Sequence, residues 1–465
     1  MPPPNERSSV SVKSERAVLA AVRLPDSSYD TRDPFGELKA LAEQAGGVVV
    51  AEMEQRLQRP VAATFMGSGK VDELKLLCDE MDASVVIFDH DLSPSQIGNI
   101  EEVVGRKVID RSELILDIFA ARATTHEAKL QVELAQLEYT YPRLRAMWSH
   151  LERIAGTGGI GGMGTRGPGE QQLEIDRRIV QRKKVDLERE LAVIHGRKRR
   201  LVRDRRKDHF TVCLVGYTNA GKSTLFNTLT AGGAYADDRL FATLVTRTRE
   251  WEVGGQGEGA EGSLRVMLSD TVGFVRDLPH NLVASFRATL EEATSADLLL
   301  VVLDASDPAA DMQHQTVITT LDELIKEAGE RAAKEADASW HAPQRLLLLN
   351  KVDRLADNRN LLIWERSSPG CVPISAVDPS HPGHAAVRSI VRAAAQGSVA
   401  EYEISVPIQD GKTVLAIEKR GQVLDRHYDE DHAVLRVRMG TRQLDQVRSV
   451  AGWGGMEVRT INGAV

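Results

Sequence analysis

"FTVCLVGYTNAGKSTLFNTL", residues 210–229, decides the fold. An apolar run enters Gly216-Tyr217-Thr218-Asn219-Ala220-Gly221-Lys222-Ser223, and a helix-forming stretch begins around Thr224. Glycine lets backbone N–H groups converge on an anion, and a helix N-terminus adds partial positive charge at the same point. Lys222 is suited to the β- and γ-phosphates and the Ser223 hydroxyl to Mg²⁺. Strand, glycine turn and helix in this order predict an α/β P-loop domain, with a mainly parallel sheet and helices on both faces.

Three further motifs follow in order. "MLSDTVGF" (267–274) ends an apolar strand on Asp270-Thr271-Val272-Gly273. Asp270 would hold Mg²⁺ directly or through water, and the Gly273 amide would sense the γ-phosphate. "RLLLLNKVD" (345–353) ends on Asn350-Lys351-Val352-Asp353. The Asp353 carboxylate can accept from guanine N1–H and the exocyclic amine, a pattern adenine lacks. Such charge-assisted bonds are worth roughly 1.5–3 kcal/mol each. "CVPISAVD" (371–378) follows, where the backbone of Ser375-Ala376 can meet the guanine O6 and Val377 completes the nucleotide-binding set. The order of these motifs predicts a GTPase. "DRLFATLVTRT" (238–248), within which Phe241-Ala242-Thr243-Leu244-Val245 lies, should supply the threonine that closes over the γ-phosphate and completes the Mg²⁺ shell. Thr243, Thr246 and Thr248 all offer that hydroxyl, and a segment ordered by the γ-phosphate is a two-state switch.

Around this centre the chain predicts further parts. Residues 1–16 read as a disordered tail without the apolar core of a signal peptide. Residues 17–125 alternate apolar runs at 17–24, 47–53 and 84–89 with helical patterns at 72–82 and 93–105, the rhythm of a small α/β domain with a mainly parallel sheet. Its "GSGK" (67–70) carries Thr64 where a phosphate loop needs its first glycine, so no nucleotide site is expected there. Residues 400–465 suggest a small α+β domain, leaving 208–398 to the GTPase domain.

Between 126 and 207, Leu130, Leu134, Leu137, Tyr141, Leu144, Trp148 and Leu151 form a heptad-like seam, interrupted by Pro142, where a kink is expected. The spacing resumes at Leu173, Val180, Leu187, Leu191, Ile194 and Leu201, with Arg177, Lys184 and Lys198 in the missing slots. Two seams joined by a flexible stretch predict an antiparallel helical hairpin. At about 1.5 Å per residue, a 25-residue arm is roughly 38 Å long. Its tip is the glycine-rich loop 156–169, either a linker or a probe in which glycine lets the backbone approach RNA and Arg166 pairs or stacks.

Net charge is −8, yet residues 171–207 hold 14 Lys and Arg against 6 Asp and Glu. An acidic chain with its positive charge concentrated in one helix presents that helix to a polyanion or merely solvates it. Arg197, Lys198, Arg199 and Arg200 are the candidate RNA contacts. Three scattered cysteines support neither a disulfide framework nor a zinc site. No apolar run reaches the roughly 20 residues of a membrane span.

Taken together, "DRSELILDIFAARATTHEAKLQVELAQLEY" (110–139), "GPGEQQLEIDRR" (167–178), "GYTNAGKSTLFN" (216–227), "LFATL" (240–244) and "DTVGFVRDLPHNLVASFRATLEE" (270–292) resemble the HflX-type GTPases of the Obg–HflX superfamily. The resemblance implies a cytoplasmic GTPase that binds the large ribosomal subunit and can split stalled ribosomes; GTP and GDP, Mg²⁺ and ribosomal RNA are the expected ligands, and a monomer is expected. It implies Thr243 as the switch threonine, which with Lys222 and Gly273 forms the expected catalytic set. A GTP-dependent RNA-binding assembly or storage factor without splitting activity is the alternative. The sequence departs from the family in Val245-Thr246, where Asp-Pro is usual, and in Gln171, where Thr is usual. Phe274 follows Gly273 where many GTPases place a water-orienting glutamine, so intrinsic hydrolysis is expected to be slow. Asn219 resembles the phosphate-loop asparagine of GTPases that recruit K⁺.

Overall fold

In the computed structural model of the chain, residues 15–25, 29–30, 32–155, 168–230, 246–253, 264–276, 292–335, 340–357, 359–429, 431–451 and 456–462 are described. Arg166, the 156–167 part of the glycine loop, and Phe241 to Val245 lie outside them.

The first sheet joins β1 (Arg16–Arg23), β2 (Val48–Arg56), β3 (Val85–Phe88) and β4 (Lys107–Asp110) in the order β2-β1-β3-β4, all parallel. The helices α1 (Gly36–Gln44), α2 (Ser68–Glu80), α3 (Pro94–Val104) and α4 (Arg111–Arg122) accompany it. β1 and β3 are almost wholly buried because both sheet faces are covered, which is why they read as continuous apolar runs. At "GSGK" the chain simply enters α2, with Lys70 paired to Glu73 at 2.5 Å.

The arm is the expected hairpin of α5 (His126–Ala155) and α6 (Pro168–Asp208). α5 continues helically through Pro142. Leu130, Leu134, Leu187 and Leu191 form its core. Two of the three polar seam positions face the partner helix, with Lys184 Nζ 2.7 Å from Glu138 and Lys198 Nζ 3.8 Å from Glu127, while the side chain of Arg177 lies outside the described residues. Leu201 leaves the predicted seam and is 62% exposed. Lys198 already stands opposite Glu127, next to the start of α5, so α6 outruns its partner there.

The second sheet has the order β10-β9-β8-β5-β7-β6, built from β5 (Phe210–Gly216), β6 (Arg247–Glu252), β7 (Arg265–Asp270), β8 (Leu298–Asp304), β9 (Gln344–Asn350) and β10 (Val372–Pro373). It is parallel except for the edge strand β6. α7 (Lys222–Leu229), α8 (Ala310–Lys334), α9 (Arg359–Ser367) and α10 (Pro382–Gln396) complete this unit. One core cluster packs Phe226 and Val387 on one face of the sheet, and another packs Val317 and Leu321 on the other. The C-terminal segment runs β11 (Val399–Pro407), α11 (Gly411–Arg420), β12 (Gln422–Tyr428), β13 (His432–Gly440), α12 (Thr441–Ala451) and β14 (Glu457–Asn462). Its antiparallel sheet has the order β12-β13-β11-β14, a ferredoxin-like βαββαβ arrangement.

Candidate functional site

β5 delivers the phosphate loop to the carboxyl edge of the parallel sheet, where open α/β sheets bind ligands. Gly216 lies against β8, and a Cβ there would stand 2.2 Å from the Val302 carbonyl oxygen. Gly221 sits at φ 91°, and a Cβ on it would stand 2.2 Å from Asn350 Nδ2. Glycine is therefore required at both ends of the loop for close approach. Asn219 takes the left-handed φ of 60° and is exposed, while Tyr217, Thr218 and Ala220 are buried. Lys222 Nζ donates to the carbonyls of Gly216 and Tyr217 at 3.1 and 2.7 Å, curling back over the loop. Burial pushes its ammonium down to about 8, with Asp270 acting in the opposite sense. Thr224 follows in the first turn of α7.

β7 ends at Asp270, and Ser223 Oγ donates to Asp270 Oδ2 at 2.6 Å. A hydroxyl and a carboxylate brought to one point are hard oxygen donors of the kind Mg²⁺ takes, so these residues fit the ion. Gly273 packs directly on the loop, where a Cβ would stand 2.8 Å from both Lys222 Nζ and Thr218 Cα. The Thr271 hydroxyl donates to the Leu214 carbonyl at 2.7 Å, and Val272 is buried. Of the three competing threonines, Thr248 is committed to β6, where its hydroxyl meets Ser269 at 3.0 Å. Thr243 lies outside the described residues.

β9 ends at Asn350, whose side chain ties three motifs together. Its Nδ2 donates to the Ala220 carbonyl at 2.7 Å, and its Oδ1 accepts from Ala376 N at 2.9 Å. Lys351 takes a left-handed φ of 61° and places Nζ 2.7 Å from Asp304. Asp353, on the turn Val352–Arg354, is exposed and accepts from Ser375 Oγ at 2.6 Å. The Ala376 carbonyl accepts from Thr228 Oγ1 at 2.7 Å, and Val377 is 67% exposed beside it. An exposed carboxylate beside the buried Ser375 and Ala376 can read a planar base.

Sequence reasoning did not find what surrounds Phe274. Its backbone exchanges hydrogen bonds with the phosphate loop: Thr218 N donates to its carbonyl at 2.7 Å, and its N–H donates to Gly216 O at 3.0 Å. Val272 and Val275 belong to the core of the first sheet, packed with residues such as Phe35 and Phe119. Tyr217 Oη donates to Glu37 Oε1 at 2.5 Å and accepts from Arg276 N at 2.7 Å. Asp89, at the end of β3, is 1% exposed and bonded by Arg23, Arg111 and Arg276. Burial pushes the Asp89 carboxyl up, but the guanidiniums of Arg111, Arg276 and Arg23 outweigh it and hold it below its ordinary value. The phosphate loop and the segment after Gly273 thus share one buried network with the first sheet. No local pattern could reveal contacts spanning 187 residues of sequence.

Arg197, Arg199 and Arg200 are exposed on α6. Lys198 departs from the expected RNA set because it is a seam residue: it turns inward between Glu127 and Glu292, 3.8 Å from each. A groove of 440 Å³ runs along α6, lined by Arg178, Gln181, Arg182, Val185, Asp186 and Arg189. Arg178, Arg182 and Arg189 recur at helical spacing on one face, a basic row the sequence reading passed over. Among the described residues, no helix is long and apolar enough to cross a membrane.

Residues 32–120 match the family described as GTP-binding GTPase N-terminal, residues 122–206 its GTP-binding GTPase Middle Region, and residues 211–351 the family described as 50S ribosome-binding GTPase. The chain is 39% identical over 448 residues to the GTPase HflX of Magnetococcus marinus, covering 96% of this chain and 97% of that protein. It is also 39% identical over 428 residues to the GTPase HflX of Escherichia coli, covering 91% and 93%. A solved structure of a GTP-binding protein from Sulfolobus solfataricus in complex with GDP aligns at 23% identity and a TM-score of 0.40, over 82% of this chain and 98% of that one. With a phosphate loop, an Asp270–Ser223 pair and an Asp353–Ser375 pair on one sheet edge, and relatives matched along nearly its whole length, the chain belongs to the HflX family of GTPases.

Proposed function

We propose that the protein is a GTP-operated switch that binds the large ribosomal subunit through its basic arm and separates stalled ribosomes into subunits. Within it, Lys222 and the amides of Gly216 to Thr224 hold the phosphates, and Gly273 senses the γ-phosphate. Asp353, Ser375, Ala376 and Val377 surround the guanine, Asn350 braces that corner against the phosphate loop, and Lys351 and Val352 carry the turn that presents Asp353. Ser223 and Asp270, joined by Thr243, would hold Mg²⁺, which offsets phosphate charge during transfer to water. Phe274 offers no group to orient that water, so alignment must come from backbone, a cation near Asn219 or the ribosome.

The supporting observation is the buried chain Tyr217–Glu37–Arg111–Asp89–Arg276. It connects the phosphate loop and the segment after Gly273 to the first sheet, so a nucleotide that moves one must move or break the other. The exposed Arg178, Arg182, Arg197 and Arg200 suit an RNA backbone. Splitting then draws on binding energy incompatible with joined subunits, and hydrolysis releases the factor. Sedimentation of intact ribosomes with the protein and a non-hydrolysable GTP analogue tests this: free subunits are expected. Binding without splitting in any nucleotide state would leave the assembly or storage reading instead.

A further inference from the structure

We propose that His384 is a positioning residue for guanine recognition, fixing the Ser375 peptide so that the Ser375 hydroxyl holds Asp353 in its base-reading orientation. The inference rests on the base-reading role given to Asp353 above. No sequence motif contains His384; it comes from the first turn of α10, behind the loop.

The first turn of α10 is seated hard against the strand that leads into the loop. Pro382 opens the helix, His381 Nδ1 accepts from Gly383 N at 3.1 Å, and a Cβ on Gly383 would stand 2.2 Å from the Pro373 carbonyl oxygen. This contact drives the His384 ring beneath the 375–377 loop, where it is 3% exposed. Its Nε2 lies 2.9 Å from the Ser375 carbonyl oxygen. A carbonyl can only accept, so Nε2 carries the proton and donates. The same oxygen also accepts from Asp378 N at a longer 3.3 Å.

Three other polar groups of this dipeptide are spoken for: Ser375 Oγ by Asp353, Ala376 N by Asn350 and the Ala376 carbonyl by Thr228. Asp353 itself stands exposed on its turn, so its direction depends on the Ser375 hydroxyl, and that hydroxyl depends on the Ser375 peptide plane. A histidine that merely filled space would need no donor aimed at this carbonyl.

The test compares His384→Gln, which keeps an N–H of similar reach, with His384→Met, which keeps volume and loses the donor. Affinities of the full chain for GDP and for inosine diphosphate, which lacks the exocyclic amine, are measured by titration. In His384→Met the GDP-to-IDP preference should fall about fivefold, the scale of one hydrogen bond, with kcat at saturating GTP unchanged and the preference restored in His384→Gln. Equal losses for both nucleotides, or no loss in folded His384→Met, would overturn the proposal. Should His384→Met fail to fold, the imidazole N–H resonance of the unmodified chain serves: it should shift more on adding GDP than IDP, and equal shifts would overturn it. Asp353→Asn separates the two readings. It should swing preference toward xanthosine diphosphate whatever His384 does, and no swing would sink the base-reading role itself.

Discussion

Arg276 Nη2 donates to both carboxylate oxygens of Asp89 at 2.8 Å, joining the segment just beyond Gly273 to the carboxyl end of β3 in a different sheet. Both side chains are buried, and Arg23 and Arg111 bond the same carboxylate. This pairing makes the nucleotide site and the first sheet one mechanical unit.

Asp89→Asn should therefore destabilise the chain by about 3–5 kcal/mol, since it leaves buried guanidiniums short of their counter-charge. The native carboxyl is held below its ordinary value of 3.8, so its contribution is complete at neutral pH and is lost as pH falls below that value. Thermal unfolding across pH 3–7 should show the difference between Asp89→Asn and the parent shrinking only at the acid end. A constant difference would mean that the charge is not what matters.

Lys222, pushed down to about 8 by burial, should gain a proton when phosphate arrives beside it. Nucleotide affinity is then flat below pH 8 and weakens above it, by up to about tenfold per pH unit. Calorimetry in buffers of different ionisation enthalpy should detect proton uptake near pH 8.5. Affinity that stays flat to pH 9 would contradict the buried-lysine picture.

Most of the site was readable because phosphate and guanine chemistry demand fixed residue types at the ends of apolar strands. Gly216, Gly221, Ser223, Asp270 and Asn350 all stand where strand–turn–helix logic expects them. The arm was readable too, since its seam repeats, although Leu201 and Lys198 show that a heptad pattern does not say where a partner helix begins. What stayed hidden was tertiary. Glu37, Asp89, Arg111 and His384 are ordinary residues in their own segments and acquire roles only through packing against distant ones.

On α6, replacing Arg197, Arg199 and Arg200 with alanine should weaken ribosome binding and lower the salt slope by about 2–3, the value for three lost phosphate contacts. Lys198→Ala should leave the slope alone and lower the melting temperature of the arm, because Lys198 faces Glu127 and Glu292. The opposite assignment of effects would restore Lys198 as an RNA contact.

Phe274 cannot orient water, so GTP turnover by the isolated chain should be slow and should rise when large ribosomal subunits are added. Rates in K⁺ and Na⁺ should differ if a cation bound near Asn219 supplies part of the alignment. Equal rates in both, with full stimulation by subunits, would assign the alignment to the ribosome alone.

Co-sedimentation of the full chain with purified large ribosomal subunits, in the presence of a non-hydrolysable GTP analogue, GDP or no nucleotide, asks whether nucleotide state governs partner binding. Strong pelleting with the analogue and at least about tenfold weaker binding with GDP, a coupling of about 1.4 kcal/mol, is the expected result. Equal pelleting in all three states would contradict a GTP-operated switch.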